Sequence, residues 1–372
     1  MRIATIGTSA ITSDFIEEIN ASDRAVFVGT LSRDLERAKA FTEARGGSCP
    51  FTELEDLAAS NEVDAVYLGS PNALHASQAL TCIASGKHVI VEKPLGANER
   101  EARAVFDAAE KAGVVVLEAM RPLHDPAFVA VRDLVRNLGR IRRADLHFGK
   151  YSSRYDEILA GKHTNIFDCA MATGSLMDIG VYTVEPLIEL FGAPESVLAA
   201  PVLLDEETRG LTHGPLDGSG VIIARYADFV ATLHFSKITN DRLPSQIESE
   251  TATLTFDGIS VPTWARVEHR GTAVRAAAKQ VHVEEGARTE ELELPQVPNT
   301  MVYELSDFCD AVDAVQAGSD PLDAPAGPFG NVRHYRDVTL ASLALMDEAR
   351  RQMGVSFPAD ALASDAREAG ER

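Results

Sequence analysis

Apolar and polar positions along the first third of the chain alternate between two periods. Short β-branched or apolar runs occur at Arg2–Ile6, Ala25–Leu31, Asp64–Ser70, His88–Val91 and Val114–Glu118. Between them lie segments with apolar residues three and four apart: Asp14–Ile19, Asp34–Arg45, Thr52–Ala59, Ala73–Ser85 and Glu99–Ala112. The first kind reads as buried strands, the second as amphipathic helices. Gly46-Gly47, Gly86 and Gly113 stand where those helices should stop, and Asn98 stands where the last should start. Strands alternating with helices across short links predict βαβ units and a parallel sheet.

Beyond Arg121-Pro122-Leu123-His124-Asp125-Pro126 the rhythm breaks, and a domain link is expected there. A helix over Ala127–Asn137 leads into a strand-rich region. Strands are expected at Arg143–Lys150, Ser196–Leu204, Ser219–Ala227, Phe229–Lys237 and Thr251–Phe256, with alternating segments near Ala273 and Val281. A helix spans Leu176–Phe191. Two long amphipathic helices, Met301–Ala317 and Val338–Gln352, follow, and a frayed tail is expected from about Ala361. The fold class is therefore α/β: a Rossmann dinucleotide-binding domain over residues 1–122, then an α/β domain over residues 123–372 with a large, mostly antiparallel sheet.

Composition narrows the function. The apolar fraction of 45% suits a protein with a large core. A formal charge of −21 argues against nucleic acid as a partner, because phosphate binding needs clustered Lys and Arg. No apolar run reaches the roughly 18 residues of a membrane span. The chain enters its first strand at once, so no signal peptide is expected. Cys49, Cys82, Cys169 and Cys309 lack paired spacing and read as reduced thiols of a cytoplasmic protein. No His, Asp or Glu cluster has metal-ligand spacing in the sequence.

Candidate chemistry sits at the carboxyl ends of the predicted strands, the edge where open α/β sheets bind ligands. Gly7-Thr8-Ser9-Ala10-Ile11-Thr12 follows the first strand and opens a helix, a turn suited to phosphate. Gly7, Thr8, Ser9, Ile11 and Thr12 are its candidate cofactor contacts, although Ser9 and Thr12 replace two glycines of the usual fingerprint. After the second strand, Ser32 and Arg33 stand where an acid would select NAD, so NADP is expected, with NAD the alternative. Ser70, Asn72 and His75 follow the third strand. Glu92 and Lys93 end the fourth, where Pro94 holds Lys93 in extended geometry. Further on, Asp178 and Tyr182 are four apart on a helix and share a face.

Ile6-Gly7, Ser70-Pro71-Asn72 with His75, Glu92-Lys93-Pro94 and Asp178-x-x-x-Tyr182 together resemble the glucose–fructose oxidoreductase / inositol dehydrogenase (Gfo/Idh/MocA) family. Ser236-Lys237 and Ser245-Gln246-Ile247-Glu248 also stand where that family has strand motifs. The resemblance implies an NAD(P)-dependent dehydrogenase moving a hydride between nicotinamide and a secondary alcohol or hemiacetal carbon of a sugar, polyol or dihydrodiol. Lys93 and Tyr182 are expected to form the proton-transfer pair, with Asp178 orienting the substrate or Lys93, and the resemblance implies His163 and Asn165 as substrate contacts. It also implies a homodimer or homotetramer joined through the second sheet. Placed together, an ammonium would favour a Tyr182 phenolate and burial would favour a neutral Lys93, so one of the two is expected to move toward neutrality. The rival class is a non-catalytic dinucleotide-binding regulator on the same fold.

Overall fold

The computed structural model describes residues 1–274 and 283–361. The expected βαβ alternation is present. It runs β1 (Arg2–Ile6), α1 (Ala10–Ala21), β2 (Val26–Leu31), α2 (Leu35–Glu43), α3 (Leu54–Ala59), β3 (Ala65–Leu68), α4 (Asn72–Ala84), β4 (His88–Glu92), α5 (Glu99–Ala112) and β5 (Val116–Ala119). The five strands form one parallel sheet in the order β2-β1-β3-β4-β5. Every residue of β3 and β5 is buried, as strands covered on both faces must be.

Helix α1 starts four residues earlier than the apolar periodicity suggests. Ser9 is its N-cap, with its hydroxyl accepting the Thr12 N–H at 3.4 Å and meeting the Thr12 hydroxyl at 2.9 Å. The serine and threonine that replace the fingerprint glycines therefore build the helix start. Room for a threonine there comes from the neighbouring strand. A Cβ on Gly69, just past β3, would sit 2.5 Å from Thr12 Oγ1, and a Cβ on Gly7 would sit 2.6 Å from the Gly69 carbonyl. Gly7 also holds a left-handed backbone at φ 106°. The close helix–strand approach survives because a glycine has moved from the helix to the facing strand end.

The rest comprises α6 (Pro126–Asn137), β6 (Ile141–Gly149), α7 (Ser153–Leu159), a π-helical turn (Leu176–Gly180) running into α8 (Val181–Phe191), β7 (Ser196–Leu203), α9 (Arg209–Thr212), β8 (Asp217–Arg225), β9 (Val230–Ser236), β10 (Ser245–Ser249), β11 (Ala252–Phe256), β12 (Trp264–His269), β13 (Thr272–Val274), β14 (Val283–Glu285), β15 (Arg288–Glu293), α10 (Met301–Gln316) and α11 (Val332–Met353). Eight strands make one sheet in the order β15-β12-β11-β10-β6-β9-β8-β7. All its pairs are antiparallel except β6 with β9. Strands β12 and β15 and helix α7 were not expected, although β12 alternates buried Ala265 and Val267 with polar Arg266 and Glu268. β15 reads Arg-Thr-Glu-Glu-Leu-Glu, mostly exposed and strongly acidic, a composition that favours helix over strand. The alternation near Ala273 is the start of a small β13–β14 pair, whereas Val281 and the tail beyond Ala361 lie outside the described residues.

Helix α11 packs on α5 and β5 of the first sheet and on α8 and β7 of the second unit. Its Arg350, 2% exposed, is paired with Asp347 and Asp360, each at 2.7 Å. No helix among the described residues is long and apolar enough to cross a membrane.

Candidate active site

Lys93 leaves the end of β4 and meets the π-helical turn that precedes α8. Its ammonium donates to the Asp178 carbonyl at 2.8 Å and to Asp178 Oδ1 at 3.0 Å. The Tyr182 ring lies under the same ammonium, 4.9 Å from it. The three residues proposed as catalytic from the sequence therefore meet across 85 positions of chain. The wide π turn is a feature that recurs at functional sites.

Lys237 completes the cluster and was not placed in the site from the sequence. It follows the last residue of β9, is 2% exposed, and donates to Asp178 Oδ2 at 2.6 Å. Its ammonium also lies 5.0 Å from the Phe167 ring centroid. One carboxylate thus holds two buried lysines, one from each sheet. Burial by itself would raise the Asp178 pKa, but Lys93 and Lys237 overturn that and hold it well below the usual range.

The protonation pattern differs from expectation. Burial pulls Lys93 down, yet Asp178, then Tyr182 and Glu92, outweigh it and the net shift is upward. Burial also raises Tyr182, and Lys93 only partly offsets this. Neither group moves toward neutrality. Lys237 is the group that does shift down, because burial exceeds what Asp178 returns. The resting pair is accordingly an ammonium and a neutral phenol, and Lys237 is the lysine whose charge is held least firmly.

The other predicted residues divide between lining and support. Ser9, Ser70, Asn72, His163 and Asn165, with Gly69, Pro71, Thr164 and Thr173, line one cleft of about 550 Å³. Gly7, Thr8, Ile11 and Thr12 form the turn at its edge, with Thr12 fully buried. Ser32 and Arg33 follow β2, and Arg33 is exposed with no hydrogen-bond partner among the described residues. Asn72 donates to the Ala172 carbonyl at 2.9 Å, joining the start of α4 to the loop before the π-helical turn. His75 and Glu92 lie behind the cleft. His75 is fully buried, its ring nitrogens 2.9 Å from the Pro94 carbonyl and 2.8 Å from that of Ser70. It braces the two strand ends. Glu92 accepts the Tyr67 hydroxyl at 2.6 Å.

This arrangement fits a dinucleotide: a glycine turn that a Cβ would fill, a capped helix N-terminus, and an unpartnered Arg after the second strand. A Rossmann sheet with a lysine at its ligand edge, facing a tyrosine from α8, defines a nicotinamide-dependent oxidoreductase. The comparisons agree. Residues 1–120 match the oxidoreductase family with an NAD-binding Rossmann fold (GFO_IDH_MocA), and residues 128–255 match the GFO/IDH/MocA C-terminal domain. The chain belongs to this family. It is 34% identical to the scyllo-inositol 2-dehydrogenase (NADP(+)) IolU of Bacillus subtilis over 360 residues, 97% of this chain and 99% of that one. It is 30% identical to the human trans-1,2-dihydrobenzene-1,2-diol dehydrogenase over 204 residues, 53% of this chain and 58% of that one. A 3-ketoreductase of Actinomadura kijaniata, KijD10, crystallised with NADP and TDP-benzene, shares the fold at a TM-score of 0.75 and 22% identity, covering 95% of this chain and 98% of that one.

Asp217 fixes the start of the π-helical turn. Its Oδ2 accepts the Leu176 N–H at 2.6 Å, while Oδ1 has no partner among the described residues. Burial pushes its pKa up to about 7, against the Leu176 N–H and Lys237. The unfolded carboxyl titrates near 3.9. Between about pH 4 and pH 7 the folded chain therefore binds the extra proton, and this group's contribution to stability falls as pH rises through that window. Asp217→Asn keeps an acceptor for Leu176 and removes the titration. Its thermal midpoint relative to wild type should rise between about pH 4 and pH 8; a pH-independent difference would contradict the assignment.

Proposed function

We propose that the protein oxidises a secondary alcohol of a sugar, polyol or dihydrodiol, or reduces the corresponding ketone, with NADP as partner. The observation that carries this is the Lys93–Asp178–Tyr182 cluster at the ligand edge of the Rossmann sheet. The cofactor supplies hydride chemistry; the chain supplies orientation and proton transfer. Lys93 and Tyr182 exchange a proton with the reacting oxygen, and Asp178 holds Lys93 against them. In the resting state both carry their protons, which suits delivery to a ketone. Oxidation needs the pair to lose a proton first. Lys237, which burial makes the less stable ammonium, lies on the other oxygen of the same carboxylate and balances that change.

His163 and Asn165 would contact substrate hydroxyls from the far wall of the cleft. Arg33 would meet the 2′-phosphate. The name of the Bacillus relative, which specifies NADP(+) and an inositol, supports both the cofactor and the polyol class. A panel of inositols, sugars and dihydrodiols with NADP and with NAD, followed at the nicotinamide absorbance, tests the proposal. Lys93→Met should lose about 10²–10⁴-fold in turnover on any active substrate while still binding cofactor. Arg33→Ala should weaken NADP by about 1.5–3 kcal/mol and leave NAD nearly unchanged. Near-normal turnover in Lys93→Met, or equal losses for both cofactors in Arg33→Ala, would refute the respective assignment.

We also propose residues 1–122 and 123–372 as the two domains, with the second sheet joining copies of the chain. Leu198 and Val202 on β7, Ile223 on β8 and Val230 on β9 are 68%, 55%, 42% and 41% exposed. Such apolar exposure at one end of a sheet marks an interface. Light scattering should report a dimer or tetramer; a 40.0 kDa particle at micromolar concentration would rule this out.

A further inference from the structure

Three side chains that the proposed chemistry does not use together converge at the outer wall of the cleft. Asp168 lies in the loop between α7 and the π-helical turn and is 1% exposed. His163 Nε2 is 2.8 Å from its Oδ2, and His213 Nδ1 is 2.8 Å from its Oδ1. The two imidazoles reach the carboxylate from segments 50 residues apart in the chain, and their rings lie 5.5 Å apart. All three ligand atoms fall within 4.8 Å of one another.

The surroundings hold these groups in place. Asp168 is fixed through its backbone, its N–H donating to Thr173 Oγ1 at 2.9 Å while the Thr173 hydroxyl lies 2.9 Å from the Asp168 carbonyl. Asp168 Oδ1 also accepts the Ala170 N–H at 2.8 Å. His213 holds a left-handed backbone at φ 51°, uncommon for a residue with a side chain. Its segment is tied down on both sides: the Thr212 hydroxyl donates to the Gly214 carbonyl at 2.7 Å, and the Cys169 thiol donates to the Pro215 carbonyl at 3.2 Å. The loop of Asp168 and the loop of His213 are therefore docked on each other at the carboxylate.

We propose that His163, Asp168 and His213 form a binding site for a divalent transition-metal cation of the zinc class. Two imidazoles and one carboxylate are the donor set of an open three-ligand site. In a tetrahedral site with bonds of about 2.1 Å, ligand atoms stand about 3.4 Å apart. The histidine–carboxylate spacings need to open by a few tenths of an ångström, which two half-exposed rings can accommodate. His163 also lines the cleft, with Ser9, Ser70, Asn165 and Thr173. The open coordination position would face that space and take water or a ligand oxygen. The cation would also tie the loop before the π-helical turn to the segment before β8.

The test uses untagged, chelator-stripped full-length protein titrated with Zn²⁺ by calorimetry, so it does not depend on any substrate. One Zn²⁺ per chain is expected, bound more weakly at acid pH than near neutrality because the imidazoles must lose their protons. His213→Ala should weaken Zn²⁺ at least tenfold while leaving NADP affinity unchanged. Co²⁺ substitution should give the visible absorption of a four-coordinate ion in wild type and lose it in His213→Ala. No Zn²⁺ binding, or wild-type binding by His213→Ala, would overturn the site and leave the three groups as a hydrogen-bonded brace. Either result leaves the oxidoreductase proposal standing, because turnover is not the readout.

Discussion

A single carboxylate, that of Asp178, is the group on which the arrangement of the site depends. It is the counter-ion of two lysines, Lys93 from the end of the first sheet and Lys237 from the end of β9 in the second. A buried charge without a partner costs several kcal/mol, so neither lysine can be placed here without the acid. The same pairing fixes geometry. Lys93 can reach Asp178 only if the edge of the parallel sheet faces the π-helical turn, and that orientation opens the cleft between the Gly7 turn and the loop carrying His163 and Asn165. Helix α11, packed on both units, and the Asn72–Ala172 hydrogen bond reinforce it from other sides.

Net charge at the cluster determines what it can do. Two ammonium groups and one carboxylate would leave an uncompensated positive charge in a buried place. The two lysines are held unequally: Asp178 outweighs burial at Lys93, whereas burial outweighs Asp178 at Lys237. Tyr182 keeps its proton because burial outweighs the neighbouring ammonium. A Lys–Tyr pair read in isolation gives the wrong resting state, because it leaves out the Asp178 charge that holds the Lys93 proton and the burial that holds the Tyr182 proton.

Much of the fold was legible in the sequence because the first 120 residues repeat two simple periods with caps in place. Asn98 and Gly113 bound α5 as the pattern implies. The start of α1 was less legible, because Ser9 and Thr12 looked like losses from a glycine motif. The compensating glycine, Gly69, lies 57 residues beyond Thr12. The Lys93–Asp178–Tyr182 association was legible only through the pairing of two motifs. Lys237 was not, because one lysine after an alternating strand carries no local sign of being buried. The His163–Asp168–His213 cluster was hidden for the same reason: its third member arrives by a loop whose docking on Cys169 has no periodic signature. In β15 the strand state is set by pairing with β12, against the local preference of an acidic, exposed segment.

Coupling between Asp178 and the two lysines is the central claim, and a double-mutant cycle on folding stability measures it most directly. Denaturant unfolding at neutral pH of wild type, Asp178→Asn, Lys237→Met and the double variant supplies the four values. Asp178→Asn alone should cost about 3–5 kcal/mol, because it strands two buried ammoniums. In the Lys237→Met background the same change should cost at least about 1 kcal/mol less, since one of those charges is already gone. Additive losses would contradict the account, showing that Asp178 and Lys237 do not share a charge balance and that the site is held together by something else.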